Sequence, residues 1–551
     1  MSVKRARNLN KEVFLLVLGA VIAFLPALQP GIIPWNDAAY HLSRIDSLYE
    51  ALLAGIFPVK VHPVFAGYGY GSGLFYPNTL LYIPALLMMG GASLEWAYKI
   101  FFLLILISLA LVTFESCLKM TQNVSASFFA ALFYLYANRT FYNVYDRFAL
   151  GEITASIFLP LVVCGVYLYF VREGNPLRMI LGVIGLIHTH VITTVLTALA
   201  CFLLLIISTG RIQTKKRKLA GFVIAMGCAL LTCASYWVPM WQQYRAMRIH
   251  AQAPWAVSSD YVIPLSTAAG AEGYGLPVIL LAGAAVALLF YQMHVVRDVT
   301  AHTDGGSFLS IGIILTFLTS TRPFFALMNR MGIRLIQFPT RIYSVAIVFL
   351  LVGSAMVLSD ERWNTGVLKE TFSKTAVRAG VLLSLVLYSL VMFRGNLKAG
   401  PEILMQVSQR GTDTMGAWEW LPLQTTTEML KTPSTAYDAA GNAIAGEKEN
   451  HESIFRFSTK GKSPYYIVPF IYYRGYEAWA SDGSAVETDI DPGTGLLRLS
   501  HNAAADGQSV EITVFYTGTR EMKLSYAISI FGIICVIMFC RYWSRIGNGQ
   551  G

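Results

Sequence analysis

A chain of 551 residues in which 55% are hydrophobic and 13% charged, with a mean hydropathy of +0.53, excludes a soluble globular protein and reads as a polytopic membrane protein. Its net charge of +10 calls for no nucleic acid, because much of the basic excess lies in short segments beside apolar runs, where it sets orientation. The seven cysteines, at 117, 164, 201, 228, 233, 535 and 540, fall in or beside apolar segments, so none staples an external domain and no spacing resembles a zinc or redox site.

The first helix is predicted near residues 13–33, after a basic tail of Lys4, Arg5, Arg7 and Lys11, and lacks a small-residue cleavage site, which reads as a retained anchor. Further apolar runs lie near 96–116, 124–138, 152–171, 178–209, 219–241, 275–292, 307–320, 341–359, 379–394 and 524–541. The 178–209 run exceeds one crossing of ~20 residues and splits at His188-Thr189-His190. Segment 76–91 is apolar but short and contains Pro77 and Pro84; if it spanned, Lys215-Lys216-Arg217-Lys218 would fall outside, so it is expected to lie on the membrane. The sum is about twelve crossings with both termini cytoplasmic. The domain limits that follow are 1–394 for the transmembrane catalytic domain, 395–523 for an extracytoplasmic β-sandwich-like domain, and 524–551 for a final helix and tail. Strands are expected at 453–458, 465–473, 496–500 and 510–516, between Asp-Gly and Gly-Thr-Gly turns.

Chemistry-bearing residues gather in the predicted outer loops. In Pro34-Trp35-Asn36-Asp37-Ala38-Ala39-Tyr40-His41-Leu42-Ser43-Arg44, an Asn36 cap would put Asp37, His41 and Arg44 on one helix face: an acid suited to be a base and cations suited to a phosphate. The plainer alternative is an interfacial helix with snorkelling polar groups. Asp146-Arg147 and Glu152 precede a membrane helix, where the carboxylates would hold a divalent cation and the guanidinium a phosphate, or the group would be an ion pair closing the helix mouth. His188 and His190 lie near membrane depth, where ionisable groups usually face a cavity. Arg245, Arg248, Arg322, Arg330, Arg334 and Arg341 break the orientation rule, and Arg341 at a helix start favours an anion such as a lipid phosphate. Asn138-Arg139-Thr140 is a glycosylation sequon, and Gly67-Tyr68-Gly69-Tyr70-Gly71-Ser72-Gly73 reads as a flexible loop beside the pocket. The aromatics of Trp418-Glu419-Trp420 and Tyr472-Tyr473 read first as packing and second as a sugar platform.

Asp37-x2-Tyr40-His41-x2-Arg44, Gly55-x-Phe57-Pro58, Phe75-Tyr76-Pro77, Arg147-x4-Glu152, Gln337-Phe338-Pro339-x-Arg341 and Tyr472-Tyr473-x-Gly475-Tyr476 together resemble the GT-C superfamily of membrane glycosyltransferases. Within it they are similar to the bacterial membrane proteins known as 6-pyruvoyl-tetrahydropterin-synthase-related, and to their YfhO-type relatives. The resemblance implies an inverting transferase at the outer face of the cell membrane, moving a sugar from a polyprenyl-phosphate carrier to an envelope glycan, teichoic-acid-like polymer or glycolipid. It implies Asp37 as general base. Arg147, Arg341 and His190, with His41 and Arg44, would hold the lipid phosphate, and Asp146 and Glu152 would orient the donor or hold a divalent cation. Asp37 stands between Asn36 and Ala38, without the paired acid found in some of these enzymes. A lipid-linked sugar flippase is the rival, disfavoured because no internal repeat is visible and the polar groups collect at one surface.

Overall fold

The computed structural model describes residues 3–32, 37–65, 67–172, 174–253, 257–294, 304–333, 336–360, 366–394, 418–460, 463–501 and 509–547. Asn36, Arg334 and Gly416-Ala417 lie outside these residues.

All eleven apolar runs contain helix, and helix length bears on the count of crossings. Among the described residues seven helices are long and apolar enough to cross a membrane, or nine if each of two bent pairs, Lys215–Thr232 with Ala234–Ala246 (73°) and Asp304–Thr319 with Arg322–Arg330 (74°), is one span. The remainder, Val124–Leu135, Leu177–Ile187 and Val191–Ile207, have 12, 11 and 17 residues. At 1.5 Å per residue these rise ~17–26 Å, less than the ~30 Å of a hydrocarbon core. The split at His188-Thr189-His190 is where the chain breaks its helix. Thr79–Met89 is likewise too short to cross.

Two helices form the axis of the bundle. Leu150–Val171 and Arg341–Leu358 have 83% and 89% of their apolar windows buried inside the protein, against 22–56% for the other spans. Helices walled by protein on all sides tolerate charge only at their ends, and both begin with site residues: Glu152 in the first turn of one, Arg341 as the first residue of the other. The opposite end is tied by other ion pairs. Arg172 Nη2 meets Asp304 Oδ2 at 2.8 Å, Arg211 joins the same carboxylate, Arg178 pairs with Glu115, and Arg378 pairs with Glu12. Arg172, Arg178, Arg211 and Arg378 therefore gather at the end of the bundle away from Glu152.

The C-terminal domain is an antiparallel sheet of eight strands: β1 (Thr435–Asp438), β2 (Ala443–Glu449), β3 (Ile454–Thr459), β4 (Tyr466–Ile471), β5 (Tyr476–Ala480), β6 (Val486–Ile490), β7 (Leu496–His501) and β8 (Val510–Tyr516). The order is β5-β8-β3-β2-β1-β4-β7-β6, and the two four-stranded halves turn their apolar faces toward one core. Phe455 of β3 and Phe470 of β4 meet edge to face across it, at 6.4 Å between centroids. The four expected strands are β3, β4, β7 and β8. Of the others, β2 was hidden because Ala-Ile-Ala-Gly-Glu-Lys-Glu carries one β-branched and no aromatic residue.

The sheet domain is docked on the first long loop, and here the expectation of a flexible glycine-rich segment is corrected. Tyr68, Tyr70 and Gly71–Phe75 are buried, Ile471 N donates to Tyr68 O at 2.8 Å, and the Lys448 ammonium donates to Gly67 O at 2.7 Å. The glycines serve close approach: a Cβ on Gly71 would stand 2.6 Å from the ring of Tyr473. That ring is fully buried, with its hydroxyl donating to Trp420 O at 3.1 Å, and has no room to retreat. Gly71→Ala is expected to cost ~1–3 kcal/mol and to loosen the docking, read as a lower melting temperature and faster proteolysis between the bundle and the sheet domain.

Candidate active site

At the sheet-domain end of the two axial helices a single carboxylate gathers three guanidinium groups. Glu152 Oε2 accepts from Arg139 Nη2 at 2.7 Å, and Oε1 accepts from Arg147 Nη1 at 2.8 Å and from Arg341 Nε at 3.1 Å. Arg139 comes from the short helix Asn138–Tyr145, Arg147 from the turn after it, and Arg341 from the axial helix, 189 residues distant from Glu152. Ser344 Oγ and the Glu272 carbonyl take further Arg139 donors at 3.0 and 3.3 Å, while Gln337 Oε1 takes Arg341 Nη1 at 3.3 Å. The Phe338 ring lies beneath both Arg341 and Arg147, 5.2 and 5.9 Å from their guanidinium carbons.

Asp37 completes the group. Its backbone N–H donates to Arg147 O at 3.2 Å, and its carboxylate stands 3.9 Å from Arg147 Nη2. Asp37 precedes the helix Ala38–Leu53, and its side chain makes no cap hydrogen bond. Exposure separates the two acids: the Glu152 side chain is 2% exposed and sealed behind arginines, whereas that of Asp37 is 46% exposed. Of the two acids Asp37 is the one open to solvent, and Glu152 lies behind the guanidiniums it pairs with. In this ion-pair group three guanidiniums are held by two carboxylates.

Desolvation raises the Asp37 pKa above its ordinary 3.8, with Arg147 pulling it down, Glu152 pushing it up and Arg341 pulling it down. Burial works against the Arg147 cation, but the charges of Glu152 and Asp37 outweigh it and its pKa is raised. His41 is neutral near pH 7, because burial first and then Arg44, His190 and Arg147 hold its pKa well below 6.5.

The remaining expected residues divide. His190 caps the helix Val191–Ile207, its Nδ1 accepting from Thr193 N–H at 3.3 Å, which leaves Nε2 to carry the proton; its ring lies 6.2 Å from that of Tyr76. Arg44 stands apart from the cluster. It is 1% exposed, donates to Pro77 O and Asn78 Oδ1 at 2.7 Å each, and stacks 4.5 Å over Tyr76, so it fastens the 76–78 turn to its helix. Asp146 ends the helix Asn138–Tyr145, its N–H donating to Tyr142 O at 3.1 Å. Asp146 and Glu152 do not form the expected cation site: Glu152 spends both oxygens on arginine, and among the described residues no three His, Cys, Asp or Glu side chains form a ligand group. His188 bonds Thr79 Oγ1 at 2.9 Å.

Two site residues escaped sequence reasoning. Arg139 was visible only inside a glycosylation sequon, and nothing in its spacing from Glu152 marks a pair. Glu419 was read as part of an aromatic stretch. Its neighbour Trp420 donates from Nε1 to Tyr40 Oη at 3.3 Å and stacks on Phe75 at 5.4 Å, which brings the lead-in to the sheet domain over the Asp37 helix. Burial raises the Glu419 pKa, Asp37 adds to the rise, and Arg341 and His250 oppose it, so its carboxylate shares the electrostatic field of the cleft.

No family model matches the chain. An uncharacterized protein of Lactococcus lactis subsp. cremoris (strain MG1363) is 23% identical over 239 residues, 41% of this chain and 38% of that protein. Among solved structures, the arabinofuranosyltransferase AftD from mycobacteria, determined by single-particle cryo-electron microscopy, aligns at a TM-score of 0.43 and 14% identity over 69% of this chain and 27% of that one. The chain thus spans well under half the length of either protein.

Proposed function

We propose that the protein is a GT-C-type glycosyltransferase that transfers a sugar from a polyprenyl-phosphate carrier to a hydroxyl of an envelope glycan or glycolipid, with inversion, at the outer face of the membrane. The observation that supports this reading is the pairing of a half-exposed carboxylate with a cluster of guanidiniums, 3.9 Å apart at the mouth of an apolar bundle. A lipid carrier reaches such a mouth from the bilayer, and a phosphate or diphosphate matches the guanidinium donors that Glu152 leaves unused.

Asp37 accepts the proton of the acceptor hydroxyl as its oxygen attacks the anomeric carbon. The bond from that carbon to the phosphate oxygen breaks, and the carrier departs with the electron pair. Arg147 and Arg341 stabilise the charge that grows on the leaving phosphate, with Arg139 and Glu152 holding them in place. The arginines 172, 178, 211 and 378 at the opposite end of the bundle support placing this mouth outside.

Asp37 as base gives the pH profile a sign. Its carboxylate is active when ionised, so kcat/KM is full above its pKa and falls as pH drops through it, on a limb displaced upward from the usual carboxylate range. Arg147 lowers that pKa, so Arg147→Gln is expected to move the limb to higher pH as well as slow transfer. An unmoved limb would exclude Asp37 as the titrating group. The decisive assay is sugar transfer in vitro from defined polyprenyl-phosphate sugars; movement of intact lipid across vesicles with no sugar transferred would instead identify a flippase.

A further inference from the structure

Tyr76, in the turn that Arg44 fastens, reaches the start of the axial helix Leu150–Val171. A Cβ built on Gly151 would stand 1.8 Å from the Tyr76 hydroxyl oxygen, 2.9 Å from its Cζ and 3.3 Å from Thr189 O. The glycine next to Glu152 therefore leaves the seat that this hydroxyl fills, beside the helix break that carries His190. A side chain at 151 would evict it. Three elements thus bring a phenol to the carboxylate that gathers the arginines.

The protein fixes the ring but does not use the hydroxyl. The rings of Tyr40, His41 and His190 lie 6.3, 6.2 and 6.2 Å from that of Tyr76 between centroids, and the Arg44 guanidinium stands 4.5 Å over it. Neighbouring tyrosines spend their hydroxyls inside the protein: Tyr82 Oη accepts from Val59 N–H at 2.9 Å, Tyr236 Oη donates to Phe75 O at 2.8 Å and Tyr473 Oη to Trp420 O. Tyr76 is half-buried, and among the described residues no protein group accepts its proton. A phenol removed from water normally finds a partner, and leaving one without it weakens the fold. Burial, against the pull of Arg44, and then Tyr40, Asp37 and Glu152 raise its pKa, so it stays a protonated donor near pH 7.

We propose that Tyr76 is a further catalytic residue, whose hydroxyl donates to a phosphate oxygen of the prenyl-phosphate carrier beside Arg147 and Arg341 and keeps that bond as charge grows on the leaving oxygen. A neutral donor there adds a hydrogen bond to the anion without crowding a fourth cation against three guanidiniums. The Arg44 cation over the ring draws electron density from it and strengthens the O–H as a donor. The phenol keeps its proton throughout, and the proton of the acceptor still passes to Asp37. The proposal rests on the glycosyltransferase reading for the identity of the carrier.

The test is calorimetric titration of the full-length protein in detergent with farnesyl phosphate, and with farnesol and inorganic phosphate as controls. The parent protein is expected to bind farnesyl phosphate more tightly than either control. Tyr76→Phe deletes one oxygen and keeps every ring contact; it is expected to bind farnesyl phosphate about ten-fold more weakly, to bind farnesol as the parent does, and to melt at the same or a higher temperature. Equal affinity for farnesyl phosphate in Tyr76→Phe, a lower melting temperature in that variant, or inorganic phosphate bound by the parent as tightly as farnesyl phosphate would each overturn the proposal. Binding and transfer separate the two readings. A protein that binds farnesyl phosphate through Tyr76 yet transfers no sugar would sink the glycosyltransferase reading and leave Tyr76 as the phosphate ligand, whereas full transfer by Tyr76→Phe would do the reverse.

Discussion

Asp37→Asn is expected to lower kcat for sugar transfer by ~10²–10⁴, the usual loss when one positioned base is removed, while leaving the fold intact. The change is isosteric, the side chain is 46% exposed, and its one ion-pair partner, at 3.9 Å, retains Glu152. Stability should therefore shift by no more than ~0.5 kcal/mol, as for other exposed substitutions. Donor affinity should rise slightly or hold, because the cleft loses a negative charge beside the phosphate site. The measurement is kcat, donor KM and melting temperature on one preparation. A variant that transfers sugar within three-fold of the parent would remove Asp37 from the chemistry and return it to the role of a loop anchor.

Glu152→Gln should behave in the opposite way. The carboxylate is the shared counter-charge of Arg139, Arg147 and Arg341, and the neutral amide leaves three guanidiniums packed together with only the partly exposed Asp37 to balance them. Removing one partner of a buried ion pair costs ~3–5 kcal/mol, because the charge left behind is desolvated and unpaired. The loss should be read first in thermal or denaturant stability and then in donor KM, since misplaced arginines hold the phosphate less well. Raising the concentration of an anion such as phosphate should recover part of the stability. If Glu152→Gln were as stable as the parent yet inactive, Glu152 would itself contact substrate, contrary to its burial.

The contrast between these two acids marks how far the sequence alone reached. Hydropathy, a property of consecutive residues, determined a polytopic helical bundle with a β-rich C-terminal domain, and local charge placed Asp37, Arg147, Glu152 and Arg341 at helix mouths. The break at His188-Thr189-His190 was legible for the same reason: a run too long for one crossing must turn where its polar residues lie. Helix length was less legible, since an apolar run shows composition but not where hydrogen bonding to the next turn stops, and three of the expected crossings are helices of 12, 11 and 17 residues.

Tertiary structure decided everything that depends on convergence. That Arg139, Arg147 and Arg341 close on one carboxylate follows from how the two axial helices pack, and a separation of 189 residues carries no periodic signal. The same packing buries Glu152 and leaves Asp37 exposed, which assigns them different roles although both are acids at a helix start. Arg44 looked like a phosphate ligand because it follows Asp37 at helical spacing; the turn at Pro77 and Asn78 claims it instead. The glycine-rich 67–73 segment looked mobile because glycine is permissive, and it is fixed because a sheet more than 350 residues away packs where side chains would otherwise stand. Sequence sets what each residue offers; burial and partner geometry, which are non-local, set what it does.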